Sequence, residues 1–104
     1  MITSRWMLED TKLQEAVARV AATLGPEVVR VRYAFGQDWA GAESLFFRVV
    51  VSDRASRRGV IGRVSEQVRQ AIVSEVRPWE YGLQYYFDFR SDSECKELED
   101  PDWD

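Results

Sequence analysis

Histidine is absent from these 104 residues, and cysteine occurs once, as Cys95. The first absence removes the side chain most used for proton transfer near neutral pH and the commonest transition-metal ligand. The second excludes an internal disulfide and any site built on paired thiolates. Chemistry would fall to carboxylates, hydroxyls, arginine, lysine or one thiol. The expectation is therefore a non-enzyme with no cofactor and no metal site. Long apolar runs are missing too. Stretches such as Val49 to Val51 fall far short of the roughly 20 residues that cross a bilayer. The opening MITSRWMLEDTKL lacks the continuous hydrophobic segment of a signal peptide. The chain reads as cytoplasmic, with no membrane partner.

What is present suffices for one folded unit. Hydrophobic residues make up 45% and aromatics 12%, enough to fill a single core at the commonest domain size. The net charge of −4 conceals a division. Residues 92–104 hold seven acids against Lys96 alone, whereas the first 91 residues hold 13 bases and 11 acids. Residues 1–91 read as a single α/β domain and residues 92–104 as an acidic C-terminal tail, an asymmetry typical of interaction arms.

Periodicity organises the domain. Leu13, Val17, Val20 and Leu24 share one face of a helix expected from about Met7 to Leu24, with Thr3 or Ser4 as its cap and Gly25-Pro26 as its stop. From Val28 to Phe35 the period becomes two. Val29, Val31, Tyr33 and Phe35 point one way, Arg30, Arg32 and Ala34 the other. Leu45 to Ser52 repeats the alternation, and the short GQDWAGAE between them suits an antiparallel turn. A second helix is expected from near Ser56 or Arg57 to Val76, with Val64, Val68, Ile72 and Val76 inward. Residues 82–90 then alternate with Leu83, Tyr85, Phe87 and Phe89 inward. The fold class is α+β, in the order α-β-β-α-β. It is a two-layer sandwich with a three-stranded mixed sheet and two helices on one face. The third strand, arriving by a helical crossover, runs parallel to the second.

Three groups of residues are candidates for function. On the sheet face away from the helices, Arg30, Arg32, Phe46, Arg48, Tyr86 and Arg90 interleave guanidiniums with rings around Asp88. That arrangement anchors protein partners and also stacks nucleic-acid bases. Trp39 in the hairpin loop and Trp103 in the tail add aromatic anchors. The second group is Arg54, Arg57, Arg58 and Arg63 around the start of the second helix. There Gly59-Val60-Ile61-Gly62 resembles the G-x-x-G phosphate clamp of KH RNA-binding domains, and the element order is similar to part of a type II KH fold. The resemblance implies an RNA backbone held at this loop. Val60 and Ile61, however, are also wanted by the helix's buried stripe. The third group is Asp38, Glu43 and Asp53, which could serve a magnesium-dependent nucleotide-handling enzyme. Glu43 and Asp53 flank a strand about 33 Å long and cannot share one ion.

The leading expectation is a non-catalytic protein-interaction subunit, a small bacterial regulatory or antitoxin-like protein. It would bind another protein, such as a basic toxin or nuclease, through the sheet face and the acidic, tryptophan-bearing tail. A homodimer is a further option. An RNA-binding module is the alternative.

Overall fold

A computed structural model describes residues 10–103 of the chain. The proposed caps Thr3 and Ser4 lie outside the described residues. The first described helix, α1 (Asp10–Thr23), buries Ala16, Val17 and Val20, with Leu13 and Leu24 packed beside them. It stops where Gly25 takes a φ of +78°, a left-handed turn that glycine enters without penalty and that Pro26 cannot reverse.

Strand β1 (Val28–Gln37) pairs antiparallel with β2 (Glu43–Val51), matching Tyr33 to Phe47 and Phe35 to Leu45. The register slips between Val28 and Arg30. Val29, expected inward, is therefore 45% exposed. A bulge of this kind re-aims one side chain without disturbing those beyond it. Strand β2 is central, so its helix-side residues Leu45, Phe47, Val49 and Val51 lose all solvent contact.

Helix α2 (Ile61–Val76) buries Val64, Val68, Ile72 and Val76. It starts later than expected. Residues 53–60 close successive turns, with Val60 and Ile61 both donating to the Arg57 carbonyl at 3.0 Å. Gly59 at φ +88° cannot belong to a right-handed helix. Arg77 takes the left-handed cap, a 3₁₀ turn follows at Pro78–Tyr81, and Gly82 delivers the chain to β3 (Gln84–Ser91).

Strand β3 lies parallel to β2 in a sheet ordered β1-β2-β3. As an edge strand it is covered only in part. Leu83 is buried, Phe87 and Phe89 are half-buried, and Tyr85 is 38% exposed. Phe87 stacks on Phe47 with centroids 4.8 Å apart, and the Arg69 guanidinium of α2 lies 5.5 Å from its ring centroid. The fold is thus the anticipated two-layer α+β sandwich on a mixed sheet. No helix among the described residues is long and apolar enough to span a membrane.

One further helix was not anticipated. The acidic segment forms α3 (Asp92–Leu98) and a 3₁₀ turn at Pro101–Trp103, both laid on the sheet face opposite α1 and α2. The Ser91 hydroxyl accepts from the Glu94 amide while the Glu94 carboxylate accepts from the Ser91 amide. This reciprocal capping box gives a seven-residue helix a defined start.

Candidate interaction surface

The strand registers arrange the second sheet face as rows running across all three strands. Ala34, Phe46 and Tyr86 form one row, Arg32, Arg48 and Asp88 the next, and Arg30, Val50 and Arg90 a third. Neighbours within a row stand about 4.8 Å apart, and rows follow one another at about 7 Å. Arg32, Arg48 and Tyr86 thus share one surface. The face as a whole, however, divides in two.

At one end the C-terminal segment covers the Arg30–Val50–Arg90 row. Val50, Cys95 and Trp103 form a small buried cluster of their own. Arg30 Nε donates to the Trp103 carbonyl at 2.9 Å. The Arg90 guanidinium sits 4.3 Å from the Trp103 ring centroid, and its Nη1 lies 3.5 Å from an Asp100 carboxylate oxygen. This corrects the expectation for three site residues. Trp103 is only 4% exposed and anchors its own chain, while Arg30 and Arg90 hold it there. The physical reason is that Val50, on the face expected to be open, needs an apolar cover. Trp103 supplies one whose π face and carbonyl both suit arginine.

The parallel register explains how the segment is aimed. Val51 lies opposite Ser91, so two residues further along Asp53 meets Ser93. Its carboxylate accepts from the Ser93 amide at 3.0 Å and from the Ser93 hydroxyl. These bonds hold the Asp53 carboxyl below its ordinary value. Burial raises the Cys95 thiol above its ordinary value, which leaves the lone cysteine poorly suited to act as a nucleophile.

The other end of the face carries a ladder of rings. Phe46 and Tyr86 stack at 5.4 Å and 21°, and Trp39 leans on Tyr86 at 5.3 Å. Two local features set this up. Gly36 has no side chain, and a Cβ there would come within 3.2 Å of the Phe46 ring, so the ring lies across the strand at this position without having to shift by the few tenths of an ångström that a side chain would demand. Asp38 then ties the hairpin loop to β3. One carboxylate oxygen accepts from the Ala40 and Ala42 amides at 3.0 and 2.9 Å, and the other from the Tyr86 hydroxyl at 2.8 Å. Tyr86 above all, then the loop amides, keeps Asp38 below its ordinary pKa, and Asp38 in turn raises that of Tyr86. Trp39 remains 86% exposed on a loop fixed at both ends. With Arg48 and Asp88 it borders a shallow groove of about 340 Å³.

The remaining candidates fall elsewhere. Asp38 and Asp53 are both occupied as hydrogen-bond acceptors, at opposite ends of the sheet, and Glu43 starts β2. No group of three His, Cys, Asp or Glu residues among those described is placed to hold a metal ion. Arg63 donates to the Glu27 carboxylate at 2.8 Å and to the Gln67 side chain at 2.9 Å. Arg54, Arg57 and Arg58 stay exposed on the preceding turns. Val60 and Ile61 of the G-x-x-G stretch pack against the core. Three signals went unused in the sequence: the Ser91-to-Glu94 capping box, the glycine at position 36 of a strand, and Asp38 two residues before backbone amides it can cap.

This defines a class by architecture: a small α+β sandwich whose second sheet face is half sealed by its own C-terminus and half presented as a ring ladder. Neither a family model nor a curated protein matches the chain. Among solved structures it is similar to variants of MamM CTD, at 15% and 14% identity and a TM-score of 0.49, covering 80% of this chain and 96% and 98% of theirs.

Proposed function

We propose that the chain is a non-catalytic interaction module that binds a protein partner through the open end of its sheet face, with Trp39, Phe46, Tyr86, Arg32 and Arg48 as the contact set. The observation that carries this reading is the state of Trp39. It is almost fully exposed, yet fixed by Tyr86 and by a loop that Asp38 cross-braces. An exposed ring usually loses side-chain freedom on binding; one held in place beforehand loses less, so more of its burial appears as affinity. The Arg32–Arg48–Asp88 row beside it suits a partner that offers an apolar side chain flanked by carboxylates.

The finer reading, an antitoxin-like subunit for a basic toxin or nuclease, drew on chain length and the acidic tail. With Trp103 turned inward, its support narrows to the charge that residues 92–100 display on α3 and the following turn. The RNA reading draws on the same ring ladder. It is weakened by the Arg63–Glu27 pair and by the chain's net charge of −4, since nonspecific nucleic-acid affinity follows the number of phosphates neutralised.

Affinity purification of the tagged full chain from its native host tests the proposal. A protein retained by wild type and by nuclease-treated samples, and lost with Trp39→Ala, is the expected result. Recovery of nucleic acid in its place, or of the same proteins with both forms, would overturn it.

A further inference from the structure

The open end of the sheet face holds an uneven set of hydrogen-bonding groups. Around Trp39, Phe46 and Tyr86 the acceptors are already in use. One Asp38 carboxylate oxygen takes the Ala40 and Ala42 amides and the other takes the Tyr86 hydroxyl, while the Ala42 carbonyl receives the Asp38 amide and the Ser44 hydroxyl. The donor side is the reverse. Trp39 is almost fully exposed, and among the described residues its indole N–H meets no acceptor. On β3 the Asp88 carboxylate is exposed beside the rings and lines the same groove, and among the described residues it makes no hydrogen bond or ion pair.

Each way of covering this surface with a protein segment makes a different demand on these groups. An extended strand or an irregular loop laid over the rings buries amide N–H groups for which no acceptor remains, and an orphaned donor carries its full desolvation penalty. A helix satisfies its own amides, but its carbonyls are spent in doing so, and the Trp39 N–H would be covered without a partner. A polyproline II segment avoids both costs. Proline has no N–H to bury, and in this conformation the carbonyls have no internal partner and can accept from the indole. The dimensions suit as well. The ladder advances 5.4 Å from Phe46 to Tyr86 and 5.3 Å on to Trp39, a reach comparable with the roughly 9 Å between prolines three apart in that helix.

We propose that the partner segment is a proline-rich stretch in the polyproline II conformation, packed on Trp39, Tyr86 and Phe46, with one carbonyl accepting from the Trp39 indole and a flanking arginine or lysine paired with Asp88. This rests on the interaction surface proposed above and names what that surface takes. Asp88 stands at the β3 end of its row and Arg32 at the β1 end, so the base of the segment falls toward β3 and its acids toward β1. Both sides are preformed. The indole is held by Tyr86 and the cross-braced loop, and proline fixes its own backbone, so little freedom is lost on contact. Single-stranded nucleic acid also stacks on rings, but it would bring phosphates up to an exposed carboxylate.

NMR titration of the full chain tests this. The probe is a capped peptide of six prolines followed by two arginines. Control peptides replace the prolines by alanine or the arginines by glutamate, and a uridine oligomer forms a separate arm. Saturable shifts of the Trp39 indole N–H and of the Phe46 and Tyr86 rings are expected with the probe and not with the alanine peptide or the oligomer. The glutamate peptide should bind roughly fivefold more weakly, and Asp88→Asn should remove that difference. Trp39→Ala should weaken binding roughly thirtyfold; the position is exposed, and circular dichroism checks that the variant is folded. The proline assignment is overturned if the probe moves no ring resonance, if the alanine peptide binds equally, if the preference for arginine survives Asp88→Asn, or if the oligomer alone moves these resonances. A Trp39-dependent protein from the affinity purification that the probe does not displace also overturns it and leaves the interaction surface standing. Displacement of that protein by the probe supports both.

Discussion

Replacing Trp103 by alanine probes the least expected feature of the fold, the C-terminal segment laid across Arg30, Val50 and Arg90. A buried tryptophan removes roughly 200 Å² from water, and at about 25 cal/mol per Å² that corresponds to about 5 kcal/mol. The cation–π contact with Arg90 adds up to about 1 kcal/mol in a half-buried setting. The observed loss should be smaller than this sum. Once the ring is gone, α3 keeps only the Asp53–Ser93 bonds and the contact of Cys95 with Val50, and seven residues are well below the about 12–15 at which a helix persists alone. The released segment then regains chain entropy, which caps the penalty at the free energy of docking. We expect a destabilisation of about 2–4 kcal/mol in urea unfolding followed by far-ultraviolet circular dichroism. We also expect early hydrogen exchange at the Glu99 amide, which caps α3 by donating to the Cys95 carbonyl. A change under about 0.5 kcal/mol with that amide still protected would show that Trp103 does not clamp the segment.

Core truncation should behave conventionally: Ile72→Ala, at a position with no solvent contact, is expected to cost about 2–5 kcal/mol, measured in the same unfolding assay. Gly36→Ala must push the Phe46 ring aside, so Phe46 and Tyr86 ring resonances should shift in NMR spectra while those of Phe47 and Phe87 hold. Asp53, held below its ordinary value of 3.8 by Ser93, contributes stability that is complete above that pH and is lost as pH falls through the lower folded value; α3 amides should become exchange-prone there first, and Asp53→Asn should abolish that pH dependence. Tyr86, held neutral by Asp38, carries the opposite sign. Its contribution is complete below the ordinary tyrosine value of 10.0 and fades as pH rises through the higher folded one. Absorbance titration should find one tyrosine ionising late, and Asp38→Asn should bring it back.

Local pattern was a reliable guide wherever one side of an element had to be apolar along its whole length. The stripes of α1 and α2 and the alternation of β2 read directly into burial, because a periodicity of 3.6 or 2 leaves few ways to hide such residues. The same alternation placed Arg32, Arg48 and Tyr86 on one surface. It failed at Val29, where a bulge re-aims one residue, and at Tyr85, where an edge strand outruns its helical cover. The hairpin loop read correctly as a turn. That Asp38 reaches Tyr86, 48 residues away, depends on how β3 is slotted beside β2 and has no local signature.

By itself, then, the order of residues settled two helices and three strands, most of their inward faces and the poverty of catalytic side chains, since each depends on composition or on spacing within a few turns of chain. Only the assembled sheet decided which part of the arginine-rich face stays open. Composition marked residues 92–104, because of their charge, as an acidic arm for a partner. The fold instead brings Val50, an uncovered apolar side chain on the central strand, within reach of Trp103 and flanks the two with Arg30 and Arg90. Burial of that ring, with the Arg30 guanidinium bonded to the Trp103 carbonyl and the Arg90 guanidinium over its π face, outweighs the solvation of acids that can stay at the surface of a short helix.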